Sequence, residues 1–287
     1  MVLVQVFFGF NYLAATLVLR EMPPRSLAAL RATGAAILLL VLARALGRRL
    51  PRSPGDLGRL ALFAVLGVGL NQVLFMEGLA RTTPTHSSLI NATIPVNTLL
   101  LAVLVGREQL NVSKCWSVLV AFSGVLLLIG PAALDALGRV VTGDLLTLAN
   151  ALSFSLFLVL SKPLLGRVDA LAATAVLMLF GAVWIDLTAI PQLAQTDLAT
   201  VSSTAWLLIA YIIVFPTALA YVMQYWALAR VDSSVVAFFI YLQPVIATTL
   251  SVVLLHERPG FAVLCGGALI FLGVYLALRP RLRAVRG

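Results

Sequence analysis

Charge is what this chain has least of. Only 11% of its 287 residues are Asp, Glu, Lys or Arg, against 61% hydrophobic, and the mean hydropathy is +1.06. A soluble globule needs a polar exterior, and this composition cannot supply one. Lysine is scarcer still: Lys114 and Lys162 are the only two among twenty basic residues. Together with the abundance of Ala, Leu and Arg, that suggests a GC-rich bacterial genome. Cysteine is limited to Cys115 and Cys265, both in apolar segments, which excludes a disulfide framework and leaves small packing residues as the expectation. No basic stretch precedes the first apolar run at Val2, so a cleaved leader is not expected and the first span stays. Catalytic patterns are missing too. There is no H-E-x-x-H, no P-loop and no G-x-S-x-G, and the GVG at Gly67 opens no complete dinucleotide fingerprint. Neither an enzyme nor a metal or cofactor site is expected.

Long apolar runs fill the space that charge vacates. Ten are predicted as helical spans: 2–19, 25–43, 59–79, 84–105, 112–130, 143–161, 169–190, 203–228, 233–255 and 259–278. Each is long enough to cross about 30 Å of hydrocarbon. Helices are required because backbone polar groups in lipid must be satisfied within the chain. The net charge of +9 reads as topology rather than nucleic-acid binding. With the N-terminus inside, fourteen of the twenty basic residues fall on the cytoplasmic side, including the tail residues Arg279, Arg281, Arg283 and Arg286. Five fall on the other side, and Arg31 lies within a span. That bias predicts both termini in the cytoplasm, with 279–287 as a basic tail.

The chain repeats itself at a fixed offset. LARTTPTHSSLINATIPV from Leu79 aligns with LARVDSSVVAFFIYLQPV from Leu228, pairing Arg81 with Arg230, Pro95 with Pro244, Glu108 with Glu257 and Gly124 with Gly273. Every pair is separated by 149 positions, although the earlier spans of each half match poorly. A unit of five spans re-enters the membrane in the opposite sense. Residues 1–130 and 143–278 are therefore predicted as two inverted repeats within one membrane domain, an architecture suited to alternating access.

The GLAR run from Gly78 to Pro95 followed by Arg107-Glu108, and the ALAR run from Ala227 to Pro244 followed by His256-Glu257-Arg258, resemble the drug/metabolite transporter superfamily, specifically its ten-helix EamA-type exporters. The resemblance covers essentially the whole chain. It implies a basket of helices around a central cavity, with the fifth and tenth as peripheral supports. It also implies export of amino acids, other metabolites or drugs, the bacterial exporters of neutral and aromatic amino acids being the most similar in character. Small four-helix relatives couple protons through an acid in their first helix. The first span here has none, so that mechanism does not carry over.

Candidate ligand contacts come from polar and aromatic side chains within the spans. On a helical wheel at about 100° per residue, Thr83, His86, Ser87, Asn91, Thr93, Asn97 and Thr98 share an arc of about 160°. For Ser and Thr, helix–helix hydrogen bonding is the expectation. For His86, Asn91 and Asn97 it is cavity lining, because their counterparts 149 positions on are Val235, Ile240 and Ile246. Scaffold is shared between repeats, whereas contacts to one asymmetric ligand need not be. The first span adds Asn11 and Tyr12, the third Gln72 and Phe75 beside Asn71, and the sixth Asn150 and Phe154 beside Ser153. The eighth adds Tyr221, Gln224 and Tyr225, and the ninth Phe239 and Gln243. Pro95, Pro216 and Pro244 interrupt spans and are read as hinges or packed kinks. Arg31 lies about 10 Å into its span. It has three options: a substrate carboxylate, an ion pair with Glu77, or snorkelling to the interface. The Glu77 pair is the expectation. Glu108 and Glu257 precede helix starts and are expected as caps.

The expected function is export of amino acids and related small metabolites through a bacterial inner membrane. The partners are the substrate and the bilayer, with no nucleic acid, and a monomer is sufficient. Efflux of lipophilic drugs is the alternative, and a membrane scaffold or enzyme a remote one.

Overall fold

Proline sets where several helices begin. Pro24, Pro54 and Pro84 occupy first-turn positions, where a missing N–H costs nothing. Three starts, that at Pro84 among them, are capped by side-chain oxygens: Thr83 accepts from the His86 amide, Asp169 from that of Ala172 and Ser202 from that of Ala205. Gly47 and Gly106, both at positive φ, follow the ends of their helices, where a left-handed residue turns the chain away.

In the computed structural model, the described residues are 1–106, 116, 119–120, 122–124, 127, 139–231 and 233–284. Among them there are helices and no strands. They run α1 (Val2–Val18), α2 (Pro24–Ala45), α3 (Pro54–Leu79), α4 (Pro84–Leu104), α5 (Arg139–Leu165), α6 (Ala170–Gln195), α7 (Ser203–Leu228), α8 (233–254) and α9 (Phe261–Ala284). Six are long and apolar enough to cross a membrane: α2 through α7. The predicted span 112–130 falls mostly outside the described residues, as do Glu108 and Cys115. The third span starts five residues earlier than its hydropathy suggested, because Ser53-Pro54 is the start signal and the first turn is polar. The sixth extends four residues beyond the prediction at each end.

Small side chains let the helices approach. The most extensive helix pair is α2 with α6, and both helices bury several alanines: Ala28, Ala32 and Ala35 on one, Ala173, Ala175 and Ala182 on the other. Lipid tails are as apolar as leucine, so close van der Waals packing holds helices together in a membrane. Thr33 also donates to Asp186 across this pair at 2.8 Å.

Four of the described helices are not regular. The third has a π-helical segment at Val65–Leu70, and α7 has one at Ile213–Leu219, around Pro216. Ala92 and Thr93 break α4 just before Pro95, and a 3₁₀ turn at Phe239–Tyr241 interrupts α8 just before Pro244. Moving 65–70 by 149 gives 214–219, and moving 92–93 gives 241–242. The irregularities therefore recur within about two residues of the offset read from the sequence. This extends the correspondence back into the third and eighth spans, whose side chains show little of it.

A candidate ligand cavity at four helix breaks

All four interrupted helices line one central cavity, each with a wall residue at its break or within two residues of it. It has a volume of about 60 Å³, room for a few waters. Irregular backbone is tolerated at membrane depth where it is buried in protein or lines such a cavity, because the freed groups find partners there. The structure shows the partners. Ser153 donates to the Leu66 carbonyl at 2.8 Å and Asn150 to the Asn71 carbonyl at 2.7 Å, both beside the α3 π-segment. At the α4 break Ser155 donates to the Ile94 carbonyl at 3.2 Å. Within the α7 π-segment the Thr217 hydroxyl donates to the Ile212 carbonyl at 2.6 Å.

Seven helices supply the wall. Asn11 and Tyr12 come from α1 beside Phe8, and Gln72 and Phe75 from α3 beside Asn71. Asn91 and Ile94 come from α4, and Asn150 and Phe154 from α5. From α7 come Tyr221 and Gln224, from α8 Ile240 and Gln243, and from α2 Arg31. Ten of the fourteen residues singled out from sequence therefore come together here.

The other four do not. His86 sits near the start of α4, where its Nδ1 lies 3.0 Å from the fully buried carboxylate of Asp144, which also accepts from Thr82. Asn97 donates to the Thr93 hydroxyl one turn back. Tyr225 is buried between Phe157, at 5.1 Å between ring centres, and Tyr221, at 5.5 Å. Phe239 lies in the α8 turn, outside the lining. The physical reason for Asn97 is the break: a wheel assumes one continuous helix, and α4 is interrupted at Ala92 and Thr93. His86 shares the first segment with Asn91 but sits more than a turn nearer the helix start, where Asp144 takes its ring nitrogen.

A polar chain crosses the cavity. Asn91 donates to the Tyr12 hydroxyl at 2.8 Å, Tyr12 to Gln243 at 3.2 Å, and Gln243 to Gln5 at 2.6 Å, which ties α4, α1 and α8 together. Tyr221 donates to the Asn71 side chain at 3.1 Å. Rings complete the wall, with Tyr12 edge-on to Phe75 at 5.2 Å and Phe8 edge-on to Tyr221 at 6.0 Å. Asn11, Gln72, Asn91 and Gln224 each keep one amide atom without a protein partner. That is hydrogen-bonding capacity within the wall residues that the protein itself leaves unused.

The lining respects the repeat in position but not in chemistry. Gln72 corresponds to Tyr221, Phe75 to Gln224, Asn91 to Ile240 and Ile94 to Gln243, each 149 apart and each in the wall. In three of these pairs an amide on one side faces an apolar residue on the other. Ile94 and Ile240 were missed from sequence because isoleucine in a span looks like packing; shifting Gln243 and Asn91 by the repeat offset would have found them. Phe8 carried no comparable signal.

Arg31 departs from expectation. Glu77 is taken by Arg25 at 2.8 Å and by Arg81. Arg31 instead donates through Nε to the Thr217 hydroxyl at 3.2 Å. The pairing fails because Arg25 and Arg81 flank Glu77 at the helix ends, whereas Arg31 lies two turns deeper. Polar pairs cluster at that same end of the bundle: Glu77 with its two arginines, Asp144 with His86 and Thr82, and Thr85 with Glu257 at 2.9 Å.

Known proteins show the same architecture. A solved crystal structure superposes with a TM-score of 0.70 over 96% of this chain and 95% of its own, at 22% identity, which speaks for the fold. A probable terminal-alkyne amino-acid exporter of Streptantibioticus cattleyicolor is 31% identical over 252 residues, covering 88% of this chain and 83% of that protein. The uncharacterized transporter YetK of Bacillus subtilis is 25% identical over 273 residues, 94% of this chain and 83% of its own. The sequence model of the EamA-like transporter family matches residues 1–130 and 141–279, and the chain belongs to that family, as a multi-pass membrane transporter.

Proposed function

We propose that this transporter exports amino acids and related small metabolites, neutral or aromatic ones above all, across a bacterial inner membrane by alternating access. The observation that carries the reading is the central cavity, walled by amides, phenols and phenyl rings and placed where four interrupted helices meet. Neutral hydrogen-bonding groups beside aromatic faces suit a zwitterion with an apolar side chain. A phosphorylated sugar needs several cations, and the wall holds one. The two matched segments act as inverted five-helix units, and the breaks around Pro95, Pro216 and Pro244 are where they flex.

Both termini lie in the cytoplasm on this reading, which puts the cluster of Glu77, Asp144 and Glu257 at the periplasmic end. Those pairs tie α2, α3, α4, α5 and the segment after α8 together. Export then requires them to part. Counterflow in proteoliposomes, screened over the amino acids with and without a pH gradient, tests the reading. Exchange of neutral or aromatic amino acids is expected, and an N91L/Q224L variant should fold normally and lose it. A wild-type protein that exchanges dyes and lipophilic cations but no amino acid would instead support drug efflux, which the aromatic wall of Phe8, Phe75 and Phe154 favours.

A further inference from the structure

Arg31 is a buried cation within a span, with no anion paired to it among the described residues. It is 3% exposed. Its single hydrogen bond to the protein, among the described residues, runs from Nε to Thr217. The two Nη groups make none, and no carboxylate lies within ion-pair distance of them among the described residues. Glu77, the anion expected from the sequence, is saturated by two other arginines. Arg31 is also the one formally charged residue in the cavity wall.

A buried charge with no counter-charge is costly. In spans such residues pair with each other or mark a ligand path. Here no anionic partner is offered among the described residues, and the guanidinium stands in the cavity wall. The Thr217 hydroxyl orients it. That hydroxyl is placed by the π-segment around Pro216, where it donates to Ile212 and is left to accept from Nε. A planar fork held by its Nε, with both Nη groups free, matches a carboxylate in two parallel hydrogen bonds.

We propose that Arg31 binds the carboxylate of the transported molecule, and that a free carboxylate is required for transport. The inference deepens the transport reading above and rests on it for the word transported. It narrows the substrates to carboxylates and excludes the corresponding amines and lipophilic cations.

The experiment compares phenylalanine with phenethylamine and leucine with isoamylamine. Wild type, R31Q and R31K are measured in counterflow and in equilibrium binding in nanodiscs. Wild type should bind and exchange each acid at least about 30-fold better than its amine, and R31Q should lose a similar factor for the acids alone. R31K, which keeps the charge but not the fork, should fall between. R31Q should unfold no earlier than wild type, because it removes an unpaired buried charge. Equal handling of acids and amines by wild type, or acid binding unchanged in R31Q, overturns the proposal. So does an R31Q protein that loses stability and acid binding together, if R31K restores the stability without the binding preference. Arg31-dependent binding of acids with no exchange upholds the proposal and refutes the transport reading. Exchange of lipophilic cations that is indifferent to Arg31 does the reverse.

Discussion

Replacing Gly67 with alanine puts the packing beneath the cavity to a direct test. Gly67 lies in the π-segment of α3, and a Cβ built on it would fall 2.3, 2.5 and 2.7 Å from three ring atoms of Phe157 on α5. Ordinary contact begins near 3.4 Å, so the ring must retreat by about 1 Å. It has little room, being fully buried, stacked on Phe154 at 6.0 Å and set against Tyr225 at 5.1 Å. Overpacking of this kind costs about 1–3 kcal/mol. We expect roughly 2 kcal/mol, read as a shift in the midpoint of equilibrium unfolding in mixed micelles. Phe154 lines the cavity, so transport should weaken as well. Shortening the obstacle should rescue the defect: G67A/F157L should cost at least about 1 kcal/mol less than the two single variants summed. An alanine variant as stable as wild type, or strict additivity in the double variant, would refute the close approach of α3 and α5 on which the cavity wall depends.

Other perturbations separate the parts of the molecule. Y12F leaves the Asn91 amide and the Gln243 oxygen without their shared hydroxyl; a Y12F/N91L cycle should show coupling of about 0.6–1.7 kcal/mol, the range for hydrogen bonds between membrane helices, and none with H86A. H86A removes one partner of the buried Asp144 carboxylate and should cost about 1–3 kcal/mol, while substrate binding in nanodiscs stays unchanged. P216A restores an amide donor in α7; if it regularises the π-segment it displaces Thr217, so binding of acids should weaken more than that of amines. Glu21, in the turn between α1 and α2, accepts from the backbone and side chain of Ser202, which holds its carboxyl below the usual value. A depressed carboxyl stabilises above its unfolded pKa and loses that contribution as pH falls through the folded one. E21Q should therefore flatten the acid limb of the stability profile below about pH 4.5 and leave neutral pH nearly untouched, the effect being small because the group is exposed.

GVG at Gly67 shows how far local sequence reaches. As a motif it opened nothing. In the structure Gly67 faces Phe157, Gly69 faces Trp184, and Val68 fills the space left by Gly181. Those are partners 90 to 115 residues away, which no local pattern names. By contrast, hydropathy alone located the apolar runs, because a bilayer imposes a length and a composition that a short window can measure. The offset of 149 was likewise legible where side chains matched, and it pairs Pro95 with Pro244, each of which follows a helix break within a turn.

Which polar residues share the cavity was legible only in part. Asn11, Tyr12, Gln72, Asn91, Gln224 and Gln243 stood out because amides and phenols are expensive in lipid and so must face something polar. His86 stood out for the same reason, yet Asp144 rather than the cavity satisfies it. Ile94 and Ile240 are in the wall without any cost to mark them. For Arg31 the sequence determined that a deep cation needs an anion. The tertiary structure decided that Glu77 is not that anion, because Arg25 and Arg81 reach it first from the helix ends. Composition and periodicity are sums over neighbours along the chain. A partner is chosen by distance in space, and only the packed helices set that distance.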